Sequence, residues 1–120
     1  VKRIILALSI ALSATFTVTA CAPAAEQVEV SSETMIIDVR TPQEFAEGHL
    51  EGAVNIDVQS PEFDSMVATL PTDGEYFIYC RSGNRSGQAI SRMEAVGFTD
   101  MTNGGSVQEA TNMTGIPVVK

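Results

Sequence analysis

The sequence predicts an α/β domain, a mainly parallel sheet of about five strands with helices on both faces. Three observations predict it. Segments such as Thr34-Met35-Ile36-Ile37-Asp38-Val39 are apolar without alternation, as expected of strands buried on both faces. Segments with apolar residues at helical spacing follow them. Short connections carrying helix-start and helix-stop signals join the two kinds, so strand and helix alternate along one chain.

Thr41-Pro42-Gln43-Glu44 is the first helix start. Thr41 is placed to cap, Pro42 to occupy the first helical position and Glu44 to reach back as the capping-box acid. Gly48 and Gly52 close that helix early, and Ala53-Val54-Asn55-Ile56 is a second short strand. Ser60-Pro61-Glu62-Phe63 repeats the start signal, with Phe63, Met66, Val67 and Leu70 following at helical spacing. Pro71-Thr72-Asp73-Gly74 is a turn. Glu75-Tyr76-Phe77-Ile78-Tyr79 is a third strand, and Cys80 stands at its carboxyl end. A helix is predicted over Ser86–Val96, with Ala89, Ile90, Met93 and Val96 on its packed face and Gly97 as its stop. Thr99–Thr102 is a brief strand, and Gly104-Gly105 turns into a last helix over Val107–Met113.

The chain has 120 residues, enough for one domain. It has no Trp, so the core must come mainly from Ile, Val, Leu, Met and Ala. A formal net charge of -8 repels phosphate backbones and argues against nucleic-acid binding. Any anion site must therefore be local. A monomer is expected.

The two cysteines sit in different contexts, which argues against pairing them. Lys2-Arg3 precedes an uncharged, largely apolar run over Ile4–Ala20, the layout of a secretory signal peptide. That run is also near the short limit for spanning a bilayer of about 30 Å. Val18-Thr19-Ala20-Cys21 resembles the bacterial lipobox, with Val in place of the commoner Leu. The resemblance implies cleavage before Cys21 and lipid on its sulfur and amino group. The protein would then be membrane-anchored in the bacterial cell envelope, its domain in the periplasm. Residues 1–20 are thus expected to be a lipoprotein signal peptide and residues 21–33 a lipidated tether. A first edge strand is expected at Gln27–Val30.

Cys80-Arg81-Ser82-Gly83-Asn84-Arg85-Ser86 joins a buried strand to a helix start. Gly83 and Asn84 tolerate unusual backbone angles, so the loop can curl and turn successive N–H groups inward as an anion cradle. Ser82 and Ser86 supply hydroxyls, and Ser86 is placed to cap the helix. The helix dipole, Arg81 and Arg85 add positive charge, which favours a thiolate at Cys80. Such a thiolate could attack phosphorus, attack a sulfane sulfur, or serve redox or metal chemistry. Metal binding needs more ligands, and His49 is the only histidine. No metal and no cofactor is expected, and no second Cys completes a dithiol. The cysteine-phosphatase pattern His-Cys-x5-Arg is not met: Tyr79 stands for the His, and Arg85 follows after four residues. The shorter loop suits a sulfur atom better than a phosphoryl group.

Ile37-Asp38-Val39-Arg40-Thr41-Pro42-Gln43-Glu44-Phe45 with Gly48-His49-Leu50-Glu51-Gly52-Ala53-Val54-Asn55-Ile56 resembles the first signature of rhodanese domains. The Cys80–Ser86 loop resembles the rhodanese active-site loop, and Gly97-Phe98 and Gly104-Gly105 fall where that family places its last strand and helix. The resemblance covers residues 28–119 and is nearest to small single-domain rhodaneses of the bacterial envelope, the phage-shock type. It implies a rhodanese-like fold and a thiosulfate sulfurtransferase. Cys80 would carry a persulfide between a donor such as thiosulfate and a thiol or cyanide acceptor. As the substrate-binding loop, the backbone amides of Arg81, Ser82, Gly83, Asn84, Arg85 and Ser86 would stabilise the negative persulfide. Arg81 would touch the donor, and Arg85 would brace the loop. The resemblance implies structural roles for Asp38 and Arg40. Glu44 is expected as a cap and His49 as a turn residue. Gln108-Glu109-Ala110 lies where the family often has a Trp. Two other readings stay open: a persulfide carrier for a protein partner, and a phosphatase-like or arsenate-reductase-like activity.

Overall fold

A computed structural model describes residues 27–120. The expected signal peptide, lipobox and Cys21 lie outside the described residues. In chain order the elements are β1 (Met35–Asp38), α1 (Pro42–Glu47), β2 (His49–Leu50), β3 (Val54–Asn55), α2 (Phe63–Val67), β4 (Glu75–Tyr79), α3 (Asn84–Glu94), β5 (Asp100–Gly105), α4 (Val107–Thr114) and β6 (Val118–Val119). The α/β class is as expected. The parallel sheet has four strands in the order β3-β1-β4-β5. The remaining two strands form a separate antiparallel pair, with His49 opposite Val119 and Leu50 opposite Val118. Neither was visible in the sequence, because two residues are too few to show a period. Gln27–Val30 is not a strand. Val28 N–H donates to Met113 O at the end of α4 (2.9 Å), and Val28 and Val30 pack there.

The alternation of β4 builds two cores. Tyr76, Ile78 and Cys80 face one side, with Phe63 and Val67 of α2 and Ala89 and Met93 of α3. Phe77 and Tyr79 face the other, with Leu50 of β2 and Ala110 of α4. Successive strand side chains point to opposite faces, so an unbroken apolar strand is what a sheet covered twice requires. Cys80 continues this pattern and is fully buried.

The Thr41 capping box forms as read from the sequence: Glu44 N–H donates to Thr41 Oγ1 (3.2 Å) and Thr41 N–H to Glu44 Oε1 (3.3 Å). The second start signal is consumed in turns. Ser60 Oγ accepts from Glu62 N–H (3.1 Å), α2 begins only at Phe63, and Met66 is exposed. α3 begins two residues earlier than expected, so Ser86 lies inside it as a buried residue and Gly83 is the N-cap. α3 ends at Glu94, which leaves Val96 exposed and off the packed face.

Gly104 is required by packing. A Cβ there would lie 2.5 Å from ring carbons of Phe77 and 3.1 Å from Tyr79 Cβ. Both rings are buried, so neither can swing aside cheaply. Gly104→Ala is expected to cost about 1–3 kcal/mol in urea unfolding. A variant as stable as the parent would show that the β4–β5 contact can relax.

Candidate active site

The chain places β3 on one side of β1 and then crosses to place β4 on the other. The order reverses between β1 and β4, and ligands of open parallel sheets bind beyond the carboxyl ends at such a point. Two sequence-predicted groups meet there: Asp38 and Arg40 at the end of β1, and Cys80 after β4. Val39 N–H donates to Tyr79 O (3.1 Å) and Cys80 N–H to Gly105 O (2.8 Å), so the ladder extends to the thiol.

The loop after Cys80 folds back on its own sulfur. Gly83 N–H donates to Cys80 Sγ at 2.9 Å, and Ser86 Oγ lies 3.4 Å from Sγ. Gly83 makes the turn with φ 89°, a left-handed angle that a side chain resists. Its Cβ would also meet Gly105 Cα at 3.3 Å. Burial, the largest influence on the thiol, pushes its pKa up. The Ser86 hydroxyl and the backbone N–H groups of Ser86, Ser82 and Gly83 together outweigh it, and the net shift is downward. Of the loop groups expected around the anion, the Gly83 N–H and the Ser86 hydroxyl lie at Cys80 Sγ, with Ser86 acting from inside the helix and not as its cap.

Asp38 and Arg40 form a buried ion pair. Arg40 Nη2 donates to Asp38 Oδ2 (2.7 Å) and to Gly48 O (2.6 Å), while Arg40 Nε and backbone N–H also donate to Asp38. Asn55 Nδ2 donates to Asp38 O (3.0 Å) and Arg40 O (2.8 Å), which pins the chain leaving β1. His49 stacks on Phe45 with ring centroids 3.7 Å apart, and its Nδ1 lies 2.8 Å from Phe45 O. Both nitrogen contact and stacking belong to the α1–β2 turn.

Arg85 is engaged by a carboxylate outside the loop. Its Nη1 and Nη2 donate to Glu44 Oε1 (2.7 Å) and Oε2 (2.9 Å), a bidentate pair that ties α3 to α1. Arg81 is exposed. The fork explains why a cation is tolerated in the first turn of α3, where the helix dipole is unfavourable to it. Glu44 is thus more than a cap. The Arg85 guanidinium holds its carboxyl well below the usual range, to about 2, against the opposing effect of burial.

A folded-state pKa below the unfolded value of about 4.3 gives stability that is fully present above that value. It is lost as pH falls through the folded value of about 2. The parent should therefore lose urea stability between about pH 5 and pH 2.5 more steeply than Glu44→Gln, which cannot ionise. Parallel curves would count against this pair.

Asn103 escaped the sequence reading. Its Oδ1 accepts from Ser86 Oγ (2.7 Å) and Gly105 N–H (3.0 Å), and its Nδ2 donates to Gly83 O (3.1 Å). A register shift places Ile78 opposite Asn103 but Tyr79 opposite Gly105. Such a bulge re-aims a side chain. The only sequence signal is an Asn before Gly104-Gly105, where a strand can break its register.

A buried thiol under a curled loop, at the switch point of a parallel sheet, defines an α/β domain organised around one cysteine. The chain belongs to the rhodanese family: the rhodanese-like domain matches residues 23–108. It is 30% identical over 73 residues to the thiosulfate sulfurtransferase PspE of Escherichia coli strain K12, covering 61% of this chain and 70% of that one. It is 37% identical over 73 residues to the putative sulfurtransferase YtwF of Bacillus subtilis strain 168, covering 61% and 69%. A solved structure described as a rhodanese with anions from E. coli superposes with a TM-score of 0.61 at 29% identity, covering 72% of this chain and 98% of that one. These relatives support sulfurtransferase activity.

Proposed function

We propose that this chain is a thiosulfate sulfurtransferase that works through a persulfide on Cys80. The observation that carries the reading is the loop folded onto Sγ, with Gly83 N–H at 2.9 Å and Ser86 Oγ at 3.4 Å. Cys80 thiolate attacks the outer sulfur of thiosulfate. A new S–S bond forms, the old one breaks, and sulfite leaves with the electron pair. The persulfide anion then gives its outer sulfur to cyanide as thiocyanate, or to a thiolate as a new persulfide, and Cys80 thiolate returns. Charge balances in both steps, and no proton is consumed. The two half-reactions give ping-pong kinetics. Inward N–H groups stabilise the persulfide as an oxyanion hole stabilises oxygen. Arg81 is the loop cation left to meet the donor, since Arg85 is held by Glu44.

The reading extends to cell location. Residues 1–20 direct export, and lipid on Cys21 holds the domain at the envelope membrane through the tether 21–33. The support is the sequence pattern alone, and membrane fractionation of the parent against Cys21→Ala tests it.

Mass spectrometry after thiosulfate treatment tests the chemistry. A gain of one sulfur on Cys80, discharged by cyanide, is expected. No gain, or a gain that cyanide cannot remove, overturns it.

A further inference from the structure

A hydroxyl carries one proton, and Ser86 Oγ has three acceptors within reach. Asn103 Oδ1 lies at 2.7 Å, Gly83 O at 3.0 Å and Cys80 Sγ at 3.4 Å. Gly83 O already receives Gly87 N–H (3.1 Å) and Asn103 Nδ2 (3.1 Å), which uses its two lone pairs. The choice for the Ser86 proton therefore lies between Asn103 and the sulfur. When the proton points to Asn103, Ser86 presents a lone pair to Cys80 and favours the protonated thiol. A thiolate needs the opposite orientation.

We propose that Asn103 is a positioning residue, which holds the Ser86 hydroxyl proton away from Cys80 Sγ and yields it when that sulfur becomes an anion. The proposal rests on the sulfur-transfer reading above. It assigns the hydroxyl two positions in one catalytic cycle. With the free thiolate, Ser86 donates to Sγ. In the persulfide the negative charge moves to the outer sulfur, and the Ser86 proton returns to Asn103. Asn103 thereby favours the loaded state and restrains the empty thiolate.

Charged groups bordering this corner come from every neighbouring element. Among the described residues they are Arg81 and Arg85 of the loop and α3, Glu44 of α1, Asp57 before α2, the Asp38–Arg40 pair at the end of β1, and Glu109 of α4, which lies against Gly105. None contacts the Ser86 hydroxyl, so substitutions at Asn103 leave these charges in place. Asn103 is itself exposed, so replacing it should disturb the core little.

The experiment uses the full chain carrying Cys21→Ser, so that Cys80 is the only thiol. Thiolate ultraviolet absorbance is followed against pH for this parent, Asn103→Ala, Ser86→Ala and the double variant. Asn103→Ala is expected to lower the thiol pKa, giving about three- to tenfold more thiolate below the midpoint. Ser86→Ala is expected to raise it, and in that background Asn103→Ala should have no further effect. A rise or no change with Asn103→Ala overturns the proposal, as does an equal shift in both backgrounds, which marks a simple brace of Gly83. Asn103→Leu, which keeps bulk and loses the acceptor, replaces Asn103→Ala if that variant does not fold. Persulfide mass gain on the same samples separates the two readings. A normal gain with an unmoved pKa overturns the role of Asn103 alone. An absent gain with the expected shift overturns sulfur transfer and leaves the proton competition standing.

Discussion

Cys80→Ser is expected to lower sulfur transfer from thiosulfate by about a thousandfold or more, while the fold survives. The physical reason is the difference between sulfur and oxygen at one buried point. A hydroxyl is far more weakly acidic than a thiol, so the groups that draw Cys80 toward thiolate cannot make a comparable alkoxide. Oxygen also cannot accept a sulfane sulfur as a stable persulfide. The structural disturbance is small. Cys80 directly follows β4, its N–H stays on Gly105 O, and a serine oxygen can still accept from Gly83 N–H. Urea stability should therefore stay within about 1–2 kcal/mol of the parent. Turnover with thiosulfate and cyanide, circular dichroism and urea unfolding together check the prediction. Activity retained in Cys80→Ser would remove the thiol from the mechanism.

Arg40→Met is expected to cost about 3–5 kcal/mol of stability, the largest effect foreseen outside the chemistry. Asp38 is fully buried and Arg40 is 7% exposed, so neither charge is served by bulk water. Removing the guanidinium strands a carboxylate in the core and leaves Gly48 O without its 2.6 Å donor. Met fills the volume, so the loss reports the unpaired charge and not a cavity. Two further variants separate the causes. Arg40→Lys keeps the charge but loses the fork that reaches both Asp38 and Gly48, and should fall between parent and Met. Asp38→Asn combined with Arg40→Met removes the stranded charge and should recover part of the loss. A cost below about 1 kcal/mol for Arg40→Met would mean that water reaches Asp38. Because this pair shapes the chain leaving β1, beside the thiol, its loss should also weaken catalysis in the folded fraction.

Much of this was legible from local pattern. The unbroken apolar run of β1 and the aromatic run of β4 could only suit buried parallel strands. Thr41-Pro42-Gln43-Glu44 announced α1, and its capping box formed as read. Cys80 stood out because two Arg, two Ser, a Gly and an Asn follow it at once. Boundaries were less legible where a residue had two uses. Ser86 suits an N-cap, but Gly83 adopts the left-handed angle first, so α3 starts earlier and Ser86 turns its hydroxyl toward the core. Ser60-Pro61 imitates a helix start, yet its hydroxyl is spent on a turn.

The sequence by itself determined that this is an α/β chain with one reactive-looking thiol at a strand end, followed by a loop able to surround an anion. These are local properties, written in periodicity and in residues a few positions apart. Only the tertiary structure decided what the neighbours of that thiol do. Glu44 and Arg85 are 41 positions apart and meet because the helices that carry them start beyond the same ends of two adjacent parallel strands, β1 and β4, which gives an apparent loop cation a carboxylate partner. Asn103 is 17 positions from Ser86 and reaches it because β5 pairs with β4 through a bulge. Such contacts follow from strand order and register, which no local pattern encodes. The thiol and its loop were readable in one dimension, and the distant partners of Arg85 and Ser86 were not.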